Sequence, residues 1–130
     1  MDFITSKITF SNTSHVSVLS PSDLAVGSSE WKYGRIPYKK ISEMKTEHKL
    51  EVIVLKNAPI FMTTEEIIID EDDIREGKRQ TFKYGEISQS SRDKGRIALG
   101  TKFLKDIEIT DAIFIILHVS PKTINSIGAL

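Results

Sequence analysis

The chain of 130 residues has no cysteine. Disulfides and thiolate metal sites are therefore excluded, and the fold must rest on packing alone, in keeping with a reducing cytoplasmic setting. Four prolines and seven glycines are too few for a collagenous or low-complexity chain. Long apolar runs are also missing. The strongest, Ala112-Ile113-Phe114-Ile115-Ile116-Leu117, falls far short of the roughly 20 residues that span a bilayer, so it reads as a buried strand with no membrane role. The start, Met1 to Lys7, alternates polar and apolar residues and lacks the basic and apolar regions of a secretory signal.

Net charge is absent as well, with 18 basic and 18 acidic residues. The neutrality conceals blocks. Residues 32–56 hold seven basic and three acidic residues, residues 57–77 one and seven, and residues 78–105 eight and two. Two basic blocks flanking an acidic one are an asymmetry that suits a polyanionic partner even where the total charge does not. An apolar fraction of 39% is enough for one core, and residues 1–130 are expected to form a single domain.

Strand signals dominate. Phe3 to Phe10, His15 to Leu19, Leu50 to Leu55, Ile60 to Met62, Glu66 to Ile69, Thr81 to Ile87 and Ile113 to His118 combine β-branched and aromatic residues between turn residues. Residues 20–30 read as a loop with one helical turn, and short helices are expected within Lys39–Lys49 and over Thr101–Ile107. Asp70-Glu71-Asp72-Asp73 reads as a solvated loop in a hairpin-like insert over 57–85, its acidic and basic arms paired across the ladder. The tail 125–130 reads as frayed.

One tripeptide occurs twice: Gly34-Arg35-Ile36 and Gly95-Arg96-Ile97, 61 residues apart, one in each basic block. Each is followed two residues later by Tyr38 or Leu99, then by a short basic helix and an apolar strand, defining repeat-like units over 30–56 and 86–119. The second unit, from Ser91-Arg92-Asp93-Lys94-Gly95-Arg96-Ile97-Ala98-Leu99 through Phe103-Leu104-Lys105-Asp106 to Ile113-Phe114-Ile115-Ile116, resembles the AbrB/MazE-like DNA-binding repeat. Two copies in one chain resemble the MraZ arrangement, in which paired repeats complete a β-barrel. The resemblance departs from the family at Lys39 and Gly100, where proline usually starts the short helix, and at Asp93, two residues before its glycine rather than three.

The resemblance implies a mostly-β, barrel-like domain of strand-helix-strand repeats, associating into a homo-oligomer and binding double-stranded DNA in transcriptional control without a cofactor. By the same resemblance Arg35 and Arg96 take the DNA-contacting role. An arginine beside a glycine presents a planar fork to phosphate or guanine at close approach. Lys32, Lys39, Lys40, Arg92, Lys94 and Lys102 are expected to face phosphates.

Plainer readings stand beside these. Arg35 and Arg96 equally suit surface ion pairs to the acidic block, and Trp31, Tyr33, Phe82 and Tyr84 suit core packing more than stacking on bases. Asp70, Glu71, Asp72 and Asp73 lack the EF-hand pattern and are read as solvated, with a protein partner as the alternative. A protein-interaction or inhibitor module of viral or mobile-element type, or a structural β-protein, is the rival class. A metal-dependent nuclease through Glu47 and Lys49, with Asp23 upstream, is the enzyme alternative. His15, His48 and His118 have no metal-ligand spacing.

Overall fold

The computed structural model describes residues 7–11, 15–21, 29–58 and 60–118. Among these residues nine strands lie in three antiparallel sheets. They are β1 (Lys7–Ser11), β2 (Val16–Leu19), β3 (Arg35–Pro37), β4 (Lys49–Leu55), β5 (Ile60–Met62), β6 (Glu66–Asp70), β7 (Lys78–Lys83), β8 (Arg96–Ala98) and β9 (Ala112–His118). Four short helices accompany them, α1 (Ser29–Lys32), α2 (Glu71–Glu76), α3 (Gln89–Lys94) and α4 (Thr101–Lys105), with 3-10 turns at Lys39–Glu43 and Tyr84–Glu86.

The central sheet, in the order β2-β9-β4-β7, explains why its two middle strands carry the apolar runs Val52–Leu55 and Ala112–Leu117. It is covered on both faces. On one face Leu50 and Val52 of β4 and Ile113, Ile115 and Leu117 of β9 pack with Ile36, Ile41, Ile97, Leu99 and Leu104. On the other, Ile53, Leu55 and Phe114 pack with Val16, Ile67 and Ile69, and the Phe10 ring meets Phe114 edge-on at 5.1 Å. The first cover is the two-stranded β3-β8 ribbon with its helices, and the second is the sheet β1-β6-β5 with α2. Because β3 and β8 pair only with each other, the described strands do not close into the expected barrel.

The pairing is crossed between the two units. In the ribbon Ile36 lies opposite Ile97, and in the central sheet Val52 lies opposite Ile115. The flanking strands obey the same rule: β2 pairs with β9 from Val16↔Ile116, and β7 pairs with β4 through Ile53↔Arg79, so moving β2 forward by 63 residues and β9 back by 63 turns one register into the other. An approximate two-fold axis therefore passes through the Ile36–Ile97 and Val52–Ile115 pairs. Each unit lends its first strand to the last strand of the other. The duplication accordingly begins at β2 and β7, earlier than the sequence boundaries at 30 and 86.

The glycines of the repeated tripeptide sit where the units cross. Gly34 (φ 77) and Gly95 (φ 66) are both left-handed, a region most other residues avoid. The Gly34 carbonyl accepts hydrogen bonds from Leu99 N–H (2.6 Å) and Gly100 N–H (2.9 Å), and the Gly95 carbonyl accepts from Tyr38 N–H (2.7 Å).

Four local expectations are corrected. The acidic run is helix α2 instead of a loop: the Asp70 side chain caps it by accepting from Asp72 N–H (2.9 Å), and Glu71, Asp72 and Asp73 occupy its first turn, where negative charge is favourable. The basic arm β7 does not pair with the acidic arm. It pairs with β4, while β6 lies between β1 and β5. The expected strand over Thr81–Ile87 runs instead over Lys78–Lys83 and gives way to a 3-10 turn, and the helix expected within Lys39–Lys49 is a 3-10 turn of five residues. The beginning of the first expected strand, most of the 20–30 loop including Asp23, and the tail lie outside the described residues. No helix among the described residues is long and apolar enough to cross a membrane.

Candidate nucleic-acid interface

Side chains alternate across a strand, so burial of Ile36 (0% exposed) and Ile97 (1%) turns exposed Pro37 and Ala98 and half-buried Arg35 and Arg96 to the other face of the ribbon, with the Arg96 Nε itself buried. Arg35 lies opposite Ala98 and Arg96 opposite Pro37. The two arginines are thus diagonal neighbours on one surface, about 7–8 Å apart at their Cα atoms. The repeated tripeptide forms one feature.

Helices flank this ribbon on both sides. α1 packs against β3 and α4, and α3 packs against β8 and the Lys39–Glu43 turn. The ribbon and these four segments carry nine basic and three acidic residues. The opposite cover, formed by β1, β5, β6 and α2, carries two basic and six acidic residues. The charge blocks of the sequence have become opposite layers of the fold. Acids of the insert pair locally, Asp70 with Lys7 at 3.7 Å and Asp72 with Arg75 at 2.9 Å.

The expected phosphate-facing residues divide. Lys32, Lys39, Lys94 and Lys102 are exposed and Lys40 is half-buried, all on segments flanking the ribbon. Arg92 points differently. Its guanidinium donates to the carbonyls of Tyr84 (3.3 Å) and Ile87 and to Gln89 Oε1 (3.1 Å), and it stacks on the Tyr84 ring at 4.1 Å. That network ties α3 to the preceding 3-10 turn. Lys105 joins the surface instead, on α4 one turn after Lys102. Its place in the basic block and its three-residue spacing from Lys102 are the signals that mark it.

Of the four aromatic candidates, Phe82 is buried, and Trp31 and Tyr84 pack against the core as expected. Tyr33 is different: it is 65% exposed, with the Arg35 guanidinium 5.1 Å from its ring centroid. An aromatic face under a guanidinium restricts where the fork points.

The other candidate residues lie apart. Glu47 and Lys49 are exposed at the turn entering β4. The Glu47 carboxyl is held below the usual range by a hydrogen bond from its own backbone, with smaller help from the Thr46 hydroxyl. His118 Nε2 pairs with Glu51 (3.0 Å), and His48 Nδ1 accepts from Lys45 N–H (3.1 Å). Among the described residues no three histidines or carboxylates are grouped to hold a metal ion.

A further ionic site, unmarked in the sequence, braces the end of this layer. Asp111, whose side chain is 1% exposed, accepts from Lys56 Nζ (2.7 Å), Asn57 N–H (3.1 Å) and Glu108 N–H (2.7 Å). Burial alone would raise its pKa, yet these hydrogen bonds prevail and hold it below the usual carboxylate value. The Asp106 carbonyl accepts from the same Lys56 ammonium (2.6 Å).

No protein-family model, curated protein or solved structure matches the chain.

Proposed function

We propose that this chain is a DNA-binding regulator of transcription of the AbrB/MraZ-like type, acting without a catalytic step. The observation that carries the reading is the placement of Arg35 and Arg96 side by side on the same face of one ribbon within a basic layer. A two-stranded ribbon of three residues per strand is about 10 Å long and fits a major groove about 12 Å wide. Arginine forks at its centre suit guanine edges, and lysines on the flanking helices suit the phosphates on either side.

The departure from proline at position 100 has a local cause and does not weaken this reading. Gly100 sits at φ 91 and its N–H donates to Gly34, whereas proline is fixed near φ −65° and has no N–H.

Fluorescence anisotropy with labelled 20-base-pair duplexes at 50–200 mM salt tests the proposal. Affinity should fall steeply with salt, and Lys102→Ala should lower the magnitude of the log–log slope by about 1. Arg35→Ala and Arg96→Ala should each weaken a preferred duplex by about 1–3 kcal/mol. Absence of duplex binding at 50 mM salt, or wild-type affinity in the folded double variant, would remove the reading.

The acidic layer supports a second reading, a protein partner on the opposite face. Edge strand β5 exposes Phe61 (59%) and Met62 (54%) next to the layer holding Asp70, Glu71, Asp72 and Asp73. It is compatible with the first reading because the two surfaces lie on opposite covers. Crosslinking through a photoreactive residue placed at Phe61 distinguishes it: recovery of a basic protein partner supports it, and recovery of none removes it.

A further inference from the structure

The two halves of the basic surface share a backbone and differ in chemistry. The axis through Ile36 and Ile97 exchanges Arg35 with Arg96, Pro37 with Ala98, and Tyr33 with Lys94. Arg35 therefore lies over an exposed aromatic ring at 5.1 Å, whereas Arg96 has an exposed ammonium two residues before it. An aromatic neighbour restrains a guanidinium. A lysine neighbour repels it and adds a mobile charge. The ribbon surface differs too, since rigid Pro37 stands opposite Arg96 and small Ala98 opposite Arg35.

Both halves also come from the same chain. The last strand of each unit pairs with the first strand of the other, and β3 pairs with β8 of the same chain, so the paired surface is complete in one copy and needs no second chain to bring the two arginines together.

From these observations, and resting on the DNA-binding reading above, we infer that one chain occupies one duplex site in a single orientation, and that the preferred site is non-palindromic. Arg35, positioned by Tyr33, makes the more selective base contact. Arg96, beside Lys94, makes a contact governed more by phosphate charge. Tyr33 is a positioning residue in this scheme and touches no base.

The experiment begins with in vitro selection from a library of duplexes carrying a 20-base-pair random core, followed by affinity cleavage on the selected site. The natural chain has no cysteine, so a single cysteine places one cleaving iron chelate without ambiguity. Ser90→Cys on α3 and Ile109→Cys beyond α4 are both exposed positions, attached to helices on the two flanks of the ribbon. The expected result is one chain per duplex, with the Ser90→Cys reagent cutting on one side of the site and the Ile109→Cys reagent on the other.

Base preference supplies the second readout. Tyr33→Ala should reduce selectivity at one base pair on the order of tenfold while Tyr33→Phe preserves it, and Lys94→Ala should flatten the salt dependence with selectivity retained. Equal cutting on both sides by each reagent, a palindromic selected site, or two chains per duplex would overturn the inference and leave the DNA-binding reading standing. A library that yields no enriched duplex overturns both.

Discussion

The two copies of Gly-Arg-Ile should respond very differently to the same substitution. At Gly34, an added Cβ would lie 2.4 Å from the Gly100 carbonyl carbon, 2.5 Å from Thr101 N and 2.6 Å from Gly100 Cα. All three are backbone atoms, against an optimal separation of about 3.5–4.0 Å between carbon atoms, so the chain must move by about an ångström. That movement strains the hydrogen bonds from Leu99 and Gly100 to the Gly34 carbonyl. Overpacking of this kind costs about 1–3 kcal/mol, the left-handed conformation adds about 1–2, and a weakened hydrogen bond adds about 1. Gly34→Ala should therefore lose on the order of 4 kcal/mol.

At Gly95 the corresponding Cβ meets Lys39 Cα at 3.2 Å, and its next neighbours are side-chain atoms of Lys39 at 3.8 and 3.9 Å. A shift of a few tenths of an ångström relieves this contact. The conformational penalty then dominates, and Gly95→Ala should lose about 1–2 kcal/mol. Equilibrium urea unfolding measures both, with fluorescence of Trp31, the single tryptophan, as the probe. Trp31 is well placed because its carbonyl accepts from Gly34 N–H at 3.0 Å and it packs against the core. A difference of about 2 kcal/mol corresponds to roughly thirtyfold in the folding constant. Equal losses in the two variants, or a larger loss at Gly95, would refute the account of how the units cross.

Other parts of the basic layer offer further checks. Asp111→Ala leaves the N–H groups of Asn57 and Glu108 without their carboxylate and should cost about 2–4 kcal/mol by urea unfolding. Because the folded state lowers the Asp111 pKa, its contribution is present above the ordinary aspartate value near 3.9 and is lost as pH falls through the lower folded value. Wild-type stability should therefore fall more steeply below about pH 4 than that of Asp111→Ala, and parallel profiles would contradict the assignment. Arg92→Ala should destabilise by about 1.5–3 kcal/mol through loss of its carbonyl contacts. Arg92→Lys should not restore stability, because one ammonium cannot reproduce the planar fork stacked on Tyr84. Full rescue by lysine would mean that the network matters less than the charge.

Much of the fold was legible where burial leaves a local mark. The runs at Leu50–Leu55 and Ala112–Leu117 announce strands covered on both faces, and each Gly-Arg-Ile marks a turn into a short strand. The crossed pairing was not legible, because which strand a segment joins has no local signature. Val16-Ser17-Val18-Leu19 and Arg79-Gln80-Thr81-Phe82 occupy equivalent places, yet the first and third positions differ in polarity. Only Leu19 and Phe82 are both apolar. The acidic helix lacked a readable apolar stripe, with Ile74 as its single apolar residue, and rests on its Asp70 cap. The inward turn of Arg92 depends on carbonyls of Tyr84 and Ile87 presented by a 3-10 turn, a geometry that composition cannot reveal.

Fusing both units into one chain changes what each half is free to become. Across an axis between identical chains, any substitution appears twice, so a change that relieves one crossing is imposed on the other. Here position 100 is glycine and its equivalent is Lys39, and the closer of the two crossings, at Gly34, is the one that faces glycine. The same freedom extends to Tyr33 and Lys94 beside the arginines, and to Asp111 and His48. These last two make one backbone contact in common: Asp111 accepts from Glu108 N–H and His48 from Lys45 N–H. The shared elements are those the crossing requires, left-handed glycine and a buried isoleucine pair. On the surface this divergence gives the two ends of the basic layer distinct chemistry, the asymmetry on which the proposed oriented binding rests.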